Sequence, residues 1–256
     1  MLESFAPDSR ALVVGASRGI GLEFVRQLAR ESCFATVHAA CRDPQRAEAL
    51  ADIAGTSPHV QPVAIDIASE DSIEAACRAV SQASPQLHLV VNAAGMLHDA
   101  SRDVEPERRL TSVKSESLAR AFAINGAGPL LLARYLEPAL SHGGRAVFAS
   151  LSARVGSIAD NRLGGWYAYR MSKAAQNMAL RTLSIEWVRQ RKNIAVVALH
   201  PGTTDTDLSK PFQRNVPPEK LFTPERSVRQ LLKIIDDITP AESGRFIAWD
   251  GSAIPW

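Results

Sequence analysis

Short apolar runs of strand type alternate with longer segments of helical periodicity along almost the whole chain, and this alternation narrows the possible folds more than any other feature. Residues 11–16, ALVVGA, form a valine-containing run stopped at Gly15, which reads as a buried strand. Beyond it Gly21, Phe24, Val25, Leu28 and Ala29 recur at helical steps. FATVHAAC then reads as a strand, Pro44 to about Ala54 as a helix, and VQPVAID as a strand. A helix with Ile73, Ala76, Cys77 and Val80 on one face follows, then a strand at LHLVVNAAG and a long helix around residues 121–140. GRAVFASLS is a fifth strand, Tyr167 to about Arg191 a long helix, and NIAVVALHPG a sixth strand. A helix from Pro224, capped by Thr223, leads to a seventh strand at GRFIAWDG. Parallel strands require crossover connections, and helices serve as those crossovers. The expectation is therefore an α/β fold. A single doubly wound domain over residues 1–256 would carry a seven-stranded parallel sheet with helices on both faces.

Charge and cysteine usage exclude several function classes. Lys and Arg number 29 against 27 Asp and Glu, a net charge of +2 with no basic cluster of the kind a nucleic acid demands. The run RQRKN at 189–193 reads as a solvated helix end, where cations complement the helix dipole. No apolar stretch is long enough to span a bilayer, and MLESFAPDSR has neither the basic nor the apolar region of a secretory signal, so a cytoplasmic location is expected. Cys33, Cys41 and Cys77 are odd in number and lack a CxxC spacing, and the six histidines form no HExxH pair. No disulfide framework and no metal site are expected.

The turn GASRGIG, between the first strand and first helix, places Gly15, Gly19 and Gly21 where backbone can approach a pyrophosphate beneath a helix N-terminus. Its spacing is GxxxGxG rather than GxGxxG. Ser17, Arg18 and Ile20 lie in the same turn. At the end of the second strand an acid would favour NAD and an arginine NADP. There Arg42 stands first, with Arg18 able to converge on the same phosphate, so NADP is expected; Asp43 is the competing reading. Asp66 and Ile67 after the third strand, and Asn92, Ala93 and Gly95 after the fourth, complete the candidate cofactor contacts on this half of the sheet edge. Two connections, 96–115 and 203–222, are long for this architecture and follow strands at the same edge. They read as functional lids, with plain surface insertion as the alternative.

Tyr169 and Lys173 stand four positions apart, on one face of a helix, where an ammonium can stabilise a phenolate. Asn125, followed by Gly126, Gly128 and Pro129, lies where a helix should be disturbed. GASRGIG, ID at 65–66, NAAG at 92–95, INGAGP, a serine-bearing fifth strand, YRMSK at 169–173 and HPG at 200–202 with TDTD behind it occur in one order. Together they resemble the short-chain dehydrogenase/reductase family. CRDP, GSIADNRLGGWYAYRMSKAA and the closing DGSAIPW resemble the subgroup of C-factor and sniffer-type carbonyl reductases.

The resemblance implies a Rossmann-type domain and an NADP(H)-dependent oxidoreductase that interconverts a ketone or aldehyde with an alcohol. It implies Tyr169 as acid/base, Lys173 as the cation that tunes it and binds the nicotinamide ribose, Ser152 as hydrogen-bond donor to the carbonyl, and Asn125 as holder of a relay water. It also brings Pro201, Gly202, Thr204 and Thr206 toward the cofactor, Thr206 toward the carboxamide. Two departures stand out. Ala93 replaces the second Asn of the usual NNAG, and Ser152 lies 17 positions before Tyr169, leaving Ser157 as the alternative serine. Tyr167 reads as a packing or substrate contact, His200 as shaping the loop entrance, and Trp166, Trp249 and Trp256 as packing aromatics, with pocket lining as their alternative. The expected partner is a small-molecule carbonyl or alcohol, with neither nucleic acid nor membrane; pairing as a homodimer or homotetramer is left open. The alternative function is an NADP-binding signalling or sensor protein with dispensable chemistry.

Overall fold

A computed structural model of the chain describes residues 2–256. The strands β1 (Ser9–Val14), β2 (Phe34–Cys41), β3 (Val60–Ala64), β4 (Leu89–Asn92), β5 (Ala146–Leu151) and β6 (Ile194–His200) alternate with helices α1 (Gly19–Leu28), α2 (Glu48–Thr56), α3 (Glu70–Ala83), α4 (Ser115–Ala121), α5 (Gly128–Leu140) and α6 (Tyr167–Arg189). A two-residue ribbon of β7 (Thr203–Thr204) and β8 (Leu221–Phe222) precedes α7 (Pro224–Asp237) and β9 (Arg245–Ala248). The sheet has seven strands in the order β3-β2-β1-β4-β5-β6-β9, every neighbouring pair parallel.

Burial on both faces explains why the central strands read as continuous apolar runs. Along β1, Leu12 and Val14 face the core beneath α3, α5 and α6, whereas Ala11 and Val13 face the core beneath α1 and α7. Ile73, Ala76, Cys77 and Val80, set three and four apart on α3, are buried as their spacing predicts. Each large aliphatic side chain buried in this way contributes about 1.5–3 kcal/mol relative to exposure.

Two segments depart from the expected elements. The helix expected from Pro44 begins as a 3-10 turn, Pro44–Arg46, and breaks at Ala47 (φ −92°, ψ 72°) before α2 starts. The long helix around 121–140 is interrupted by a π-helical turn, Phe122–Ala127, with Asn125 inside it and Pro129 at the start of α5. The residues that disturb the helix are those expected to, and the disturbance takes the form of a widened turn rather than a break.

The strand order reverses between β1 and β4, which opens a crevice outside their carboxyl ends. Val14 pairs with both Ala40 and Asn92, so the glycine turn, Arg42 and NAAG leave the sheet side by side.

Candidate active site

On the nucleotide side, α1 starts at Gly19 with Arg18 in extended backbone at its N-cap, no side-chain cap and no acid in its first turn. Uncapped first-turn N–H groups at a helix N-terminus form an anion site. The turn is held by close backbone approach. Gly15 has φ +89°, and a Cβ there would lie 2.7 Å from the Ala94 nitrogen; one on Gly21 would lie 2.1 Å from the Gly15 carbonyl oxygen. Ala93 donates its N–H to the Val14 carbonyl at 2.8 Å, which ties the NAAG turn to β1. Asn92 is buried; its amide donates to Ser150 Oγ at 2.9 Å and accepts from the Ala94 N–H at 3.3 Å.

Arg18 and Arg42 are exposed at this end, Ser17 and Ile20 half-buried. Arg18 pairs with Asp207 at 3.4 Å across solvent, a contact worth little by itself. The Asp43 carboxylate accepts from the Arg46 N–H at 3.2 Å and so caps the turn that follows β2. Asp66 is exposed and accepts from the Ala68 N–H at 3.0 Å, while Ile67 is buried with its carbonyl against Gly128. A Cβ on Gly19 would lie 3.2 Å from the Thr206 methyl, so the loop after β6 reaches the glycine turn. Pro201 is half-buried, and Gly202 (φ +78°) packs against Phe222 and Trp249. Thr204 faces the other way, its hydroxyl 2.7 Å from that of Ser227 in α7.

Tyr169 and Lys173 occupy the first two turns of α6, 9% and 3% exposed, with Lys173 Nζ 5.9 Å from the phenol ring centre. Burial pushes the Tyr169 phenol well above its ordinary value and brings the Lys173 ammonium down to about 7. The expected lowering of the phenol by its cation is thus outweighed here by desolvation. Lys173 donates to the Leu151 carbonyl at 2.8 Å and to Gln176 Oε1 at 2.9 Å. A Cβ on the exposed Gly95 would lie 3.6 Å from Lys173 Nζ and 3.4 Å from Asn125 Oδ1, so NAAG, the π-turn and α6 converge on one point.

Asn125 clamps both backbone groups of Met96, accepting from its N–H and donating to its carbonyl at 2.8 Å each; its amide also reaches Ser172 Oγ at 2.9 Å. The two candidate serines are both engaged. Ser152 Oγ donates to Asn177 Oδ1 at 2.6 Å, and Ser157 Oγ donates to the Pro255 carbonyl at 2.5 Å, pinning the chain's last residues. Ser150 lies within β5 as a strand residue, bonded to Asn92 and Gln176. His200 ends β6; burial, helped by Arg154, lowers its imidazole to about 4, so it is neutral at ordinary pH.

Three groups emerge that sequence reasoning did not single out as site residues. Glu107, from the 96–115 connection and 4% exposed, accepts the Ala168 N–H on Oε2 at 3.1 Å and the Trp166 N–H on its own carbonyl. It supplies the cap that α6 lacks, since Trp166 at the N-cap is left-handed (φ 52°) and makes no side-chain cap. The Trp166 ring lies 6.3 Å from Tyr169 and 4.9 Å from Phe212, and Phe212 lies 6.1 Å from His98. Trp166, for which packing is the favoured reading and pocket lining the alternative, therefore stands beside the phenol, where the 96–115, 152–166 and 203–222 connections meet. Trp249 packs edge-on against Phe222 and Trp256 stacks on Phe246, as packing aromatics should. Gln176 and Asn177 are the remaining pair, buried on α6 behind the serines.

Among the described residues no cluster of three His, Cys, Asp or Glu could hold a metal ion, and no helix is long and apolar enough to cross a membrane. The fold and crevice define a doubly wound α/β class with a Rossmann-like sheet, and comparison with known proteins sharpens this. Residues 9–217 match the short chain dehydrogenase family, and the chain belongs to it. It is 34% identical to 1-hydroxy-2-glutathionyl-2-methyl-3-butene dehydrogenase of Rhodococcus sp. (strain AD45), over 97% of this chain and 100% of that protein. The NADPH-bound carbonyl reductase from chicken fatty liver superposes with a TM-score of 0.87 at 30% identity, covering 98% of this chain and 95% of the other. The carbonyl reductase Sniffer of D. melanogaster gives 0.85 at 27% identity, over 98% and 100%.

Proposed function

We propose that the protein is an NADP(H)-dependent oxidoreductase that interconverts a small ketone or aldehyde with its alcohol. The observation that carries this reading is the placement of the buried Tyr169 and Lys173 pair beside Gly95, at the same sheet edge as an uncapped helix N-terminus behind a glycine turn. The residues present fit a dinucleotide. The first-turn N–H groups of α1 would take the pyrophosphate, and Gly95 leaves room for backbone approach. Arg18 and Arg42 would share a 2′-phosphate, a choice supported by the Asp43 carboxylate being engaged as a cap. The NADPH-bound avian reductase supports the same choice.

When bound, the cofactor supplies or accepts the hydride. Tyr169 then gives its phenolic proton to the carbonyl oxygen as the C–O double bond is reduced, and takes it back in the reverse direction. Lys173, in its protonated form, would stabilise the phenolate that remains. Ser152, turning its hydroxyl from Asn177 to the carbonyl oxygen, would hold that oxygen in place. Asn125 fixes the Met96 backbone and with it the wall between NAAG and α6. Exposed Met171, Met178 and Ile185, seven residues apart on α6, support pairing of copies through that helix.

Calorimetric titration with NADPH and with NADH, followed by cofactor oxidation against a panel of small carbonyls, tests the reading. Tighter binding of NADPH and turnover of at least one carbonyl are expected. Binding of neither cofactor would remove its basis.

A further inference from the structure

A buried ammonium needs acceptors on every side that water has left, and Lys173 is 3% exposed. Among the described residues no carboxylate pairs with it. Two of its three donors are taken, by the Leu151 carbonyl at the end of β5 and by Gln176 Oε1. Gln176 is fully buried, one turn further along α6. A buried glutamine on a helix face that otherwise packs against a sheet is an expensive choice unless both ends of its amide are used.

Both ends are used, and in only one orientation. Gln176 Nε2 donates to Ser150 Oγ at 2.7 Å and to the Leu151 carbonyl at 3.2 Å. A flipped amide would set its oxygen against that carbonyl and its NH2 against the ammonium, two repulsive contacts. Ser150 Oγ also accepts from Asn92 Nδ2 at 2.9 Å, and Asn92 Oδ1 accepts the Ala94 N–H at 3.3 Å. A continuous chain therefore runs from the ammonium through Gln176, Ser150 and Asn92 into the backbone of the NAAG turn.

We propose that Gln176 is a positioning residue: its amide oxygen holds the Lys173 ammonium at the end of β5, and the Gln176–Ser150–Asn92 chain couples that ammonium to the turn that faces the cofactor. The proposal rests on the reading of Lys173 as the cation that serves Tyr169 and the cofactor. Around the ammonium stand Tyr169 on its own helix, Gln176, Leu151, Asn125 and Gly95, with Gly156 against the Lys173 backbone and Cβ. Of these only Tyr169 titrates. The two acceptors that hold the ammonium, the Leu151 carbonyl and the Gln176 amide oxygen, are both neutral, and only Gln176 can be removed by a substitution without touching backbone.

The test reads Lys173 directly and needs no turnover. The chain has six lysines, so selective ε-13C labelling gives a short spectrum in which Lys173→Arg identifies the Lys173 signal. Gln176→Leu, which removes the acceptor, is expected to lower the Lys173 titration midpoint by about one pH unit, because the charged form loses a hydrogen bond. Gln176→Glu, which places a carboxylate there, is expected to raise it by a similar amount. Ser150→Ala keeps both partners of Lys173 but frees the amide, and gives a smaller downward shift; it and Gln176→Glu carry the test should the leucine variant fail to fold. In parallel, the alkaline limb of the pH profile for carbonyl reduction moves with each midpoint, kcat changing several-fold while the carbonyl KM holds. Midpoints that stay at the native value in all three variants, or that move the same way in Gln176→Leu and Gln176→Glu, would overturn the proposal. Absence of turnover in the native chain on every carbonyl would count against the proposed function alone, since the titration is read without it.

Discussion

At the β1–β4 end of the sheet edge, backbone does the construction: Gly15 and Gly21 are nearly in contact through main-chain atoms, and NAAG is bonded to β1 by its own N–H. At the α6 end, side chains do it. Glu107 caps the helix, Asn125 clamps Met96, and Gln176 holds Lys173, each reaching from a different part of the chain. The first construction leaves almost no room for a side chain at Gly15 and Gly21, whereas the second rests on individual hydrogen bonds that a substitution removes one at a time. Substitutions at the two ends should therefore fail in different ways.

The largest effect is expected at the backbone end. Gly21→Ala forces a Cβ to within 2.1 Å of the Gly15 carbonyl, and should lower stability by about 3 kcal/mol in denaturant unfolding and abolish NADPH binding together. A variant that keeps both would break the contrast. The paired change Arg18→Ala with Arg42→Ala should weaken NADPH by about 100-fold in calorimetry and leave NADH nearly unaffected, since only the 2′-phosphate loses its charge-assisted bonds. Comparable losses for both cofactors would assign these arginines another role.

At the side-chain end, Glu107→Ala removes a cap and should lower stability by about 1 kcal/mol, reduce carbonyl turnover and spare NADPH affinity. Glu107→Gln, whose amide oxygen still accepts the Ala168 N–H, should recover most of that turnover. The smallest effect concerns His200, whose imidazole is lowered to about 4 by burial. Between pH 6.5 and 4 the unfolded chain takes up a proton that the folded chain refuses, so stability falls as pH falls through that window. Melting curves of His200→Asn should show a weaker decline over that range than the native chain.

Sequence and structure agree where the physics is local. Strands buried on both faces show as unbroken apolar runs, and FATVHAAC coincides with β2 residue for residue. The glycine turn was legible because close backbone approach tolerates few residues, and the disturbance at Asn125 because Gly and Pro surround it. Glu107 was not legible, because it acts across distant segments. Gln176 and Trp166 stand only three positions from Lys173 and Tyr169, yet the contacts that fix their orientation come from distant Ser150 and Phe212. Glu107 meets the start of α6 across 61 positions with no periodicity to announce it. The serine hydroxyls illustrate the same limit: their position in the sequence says nothing of Asn177 or Pro255, which engage them.

Tyr169→Phe tests the central claim most directly, because it removes one hydroxyl and leaves the ring packed against Trp166. Measured side by side with the native chain, the variant should bind NADPH with unchanged affinity by calorimetry and lose carbonyl turnover by about 100-fold or more. Turnover that survives in the variant would contradict the assignment of Tyr169 as the proton donor and with it the account of this edge as a reductase site.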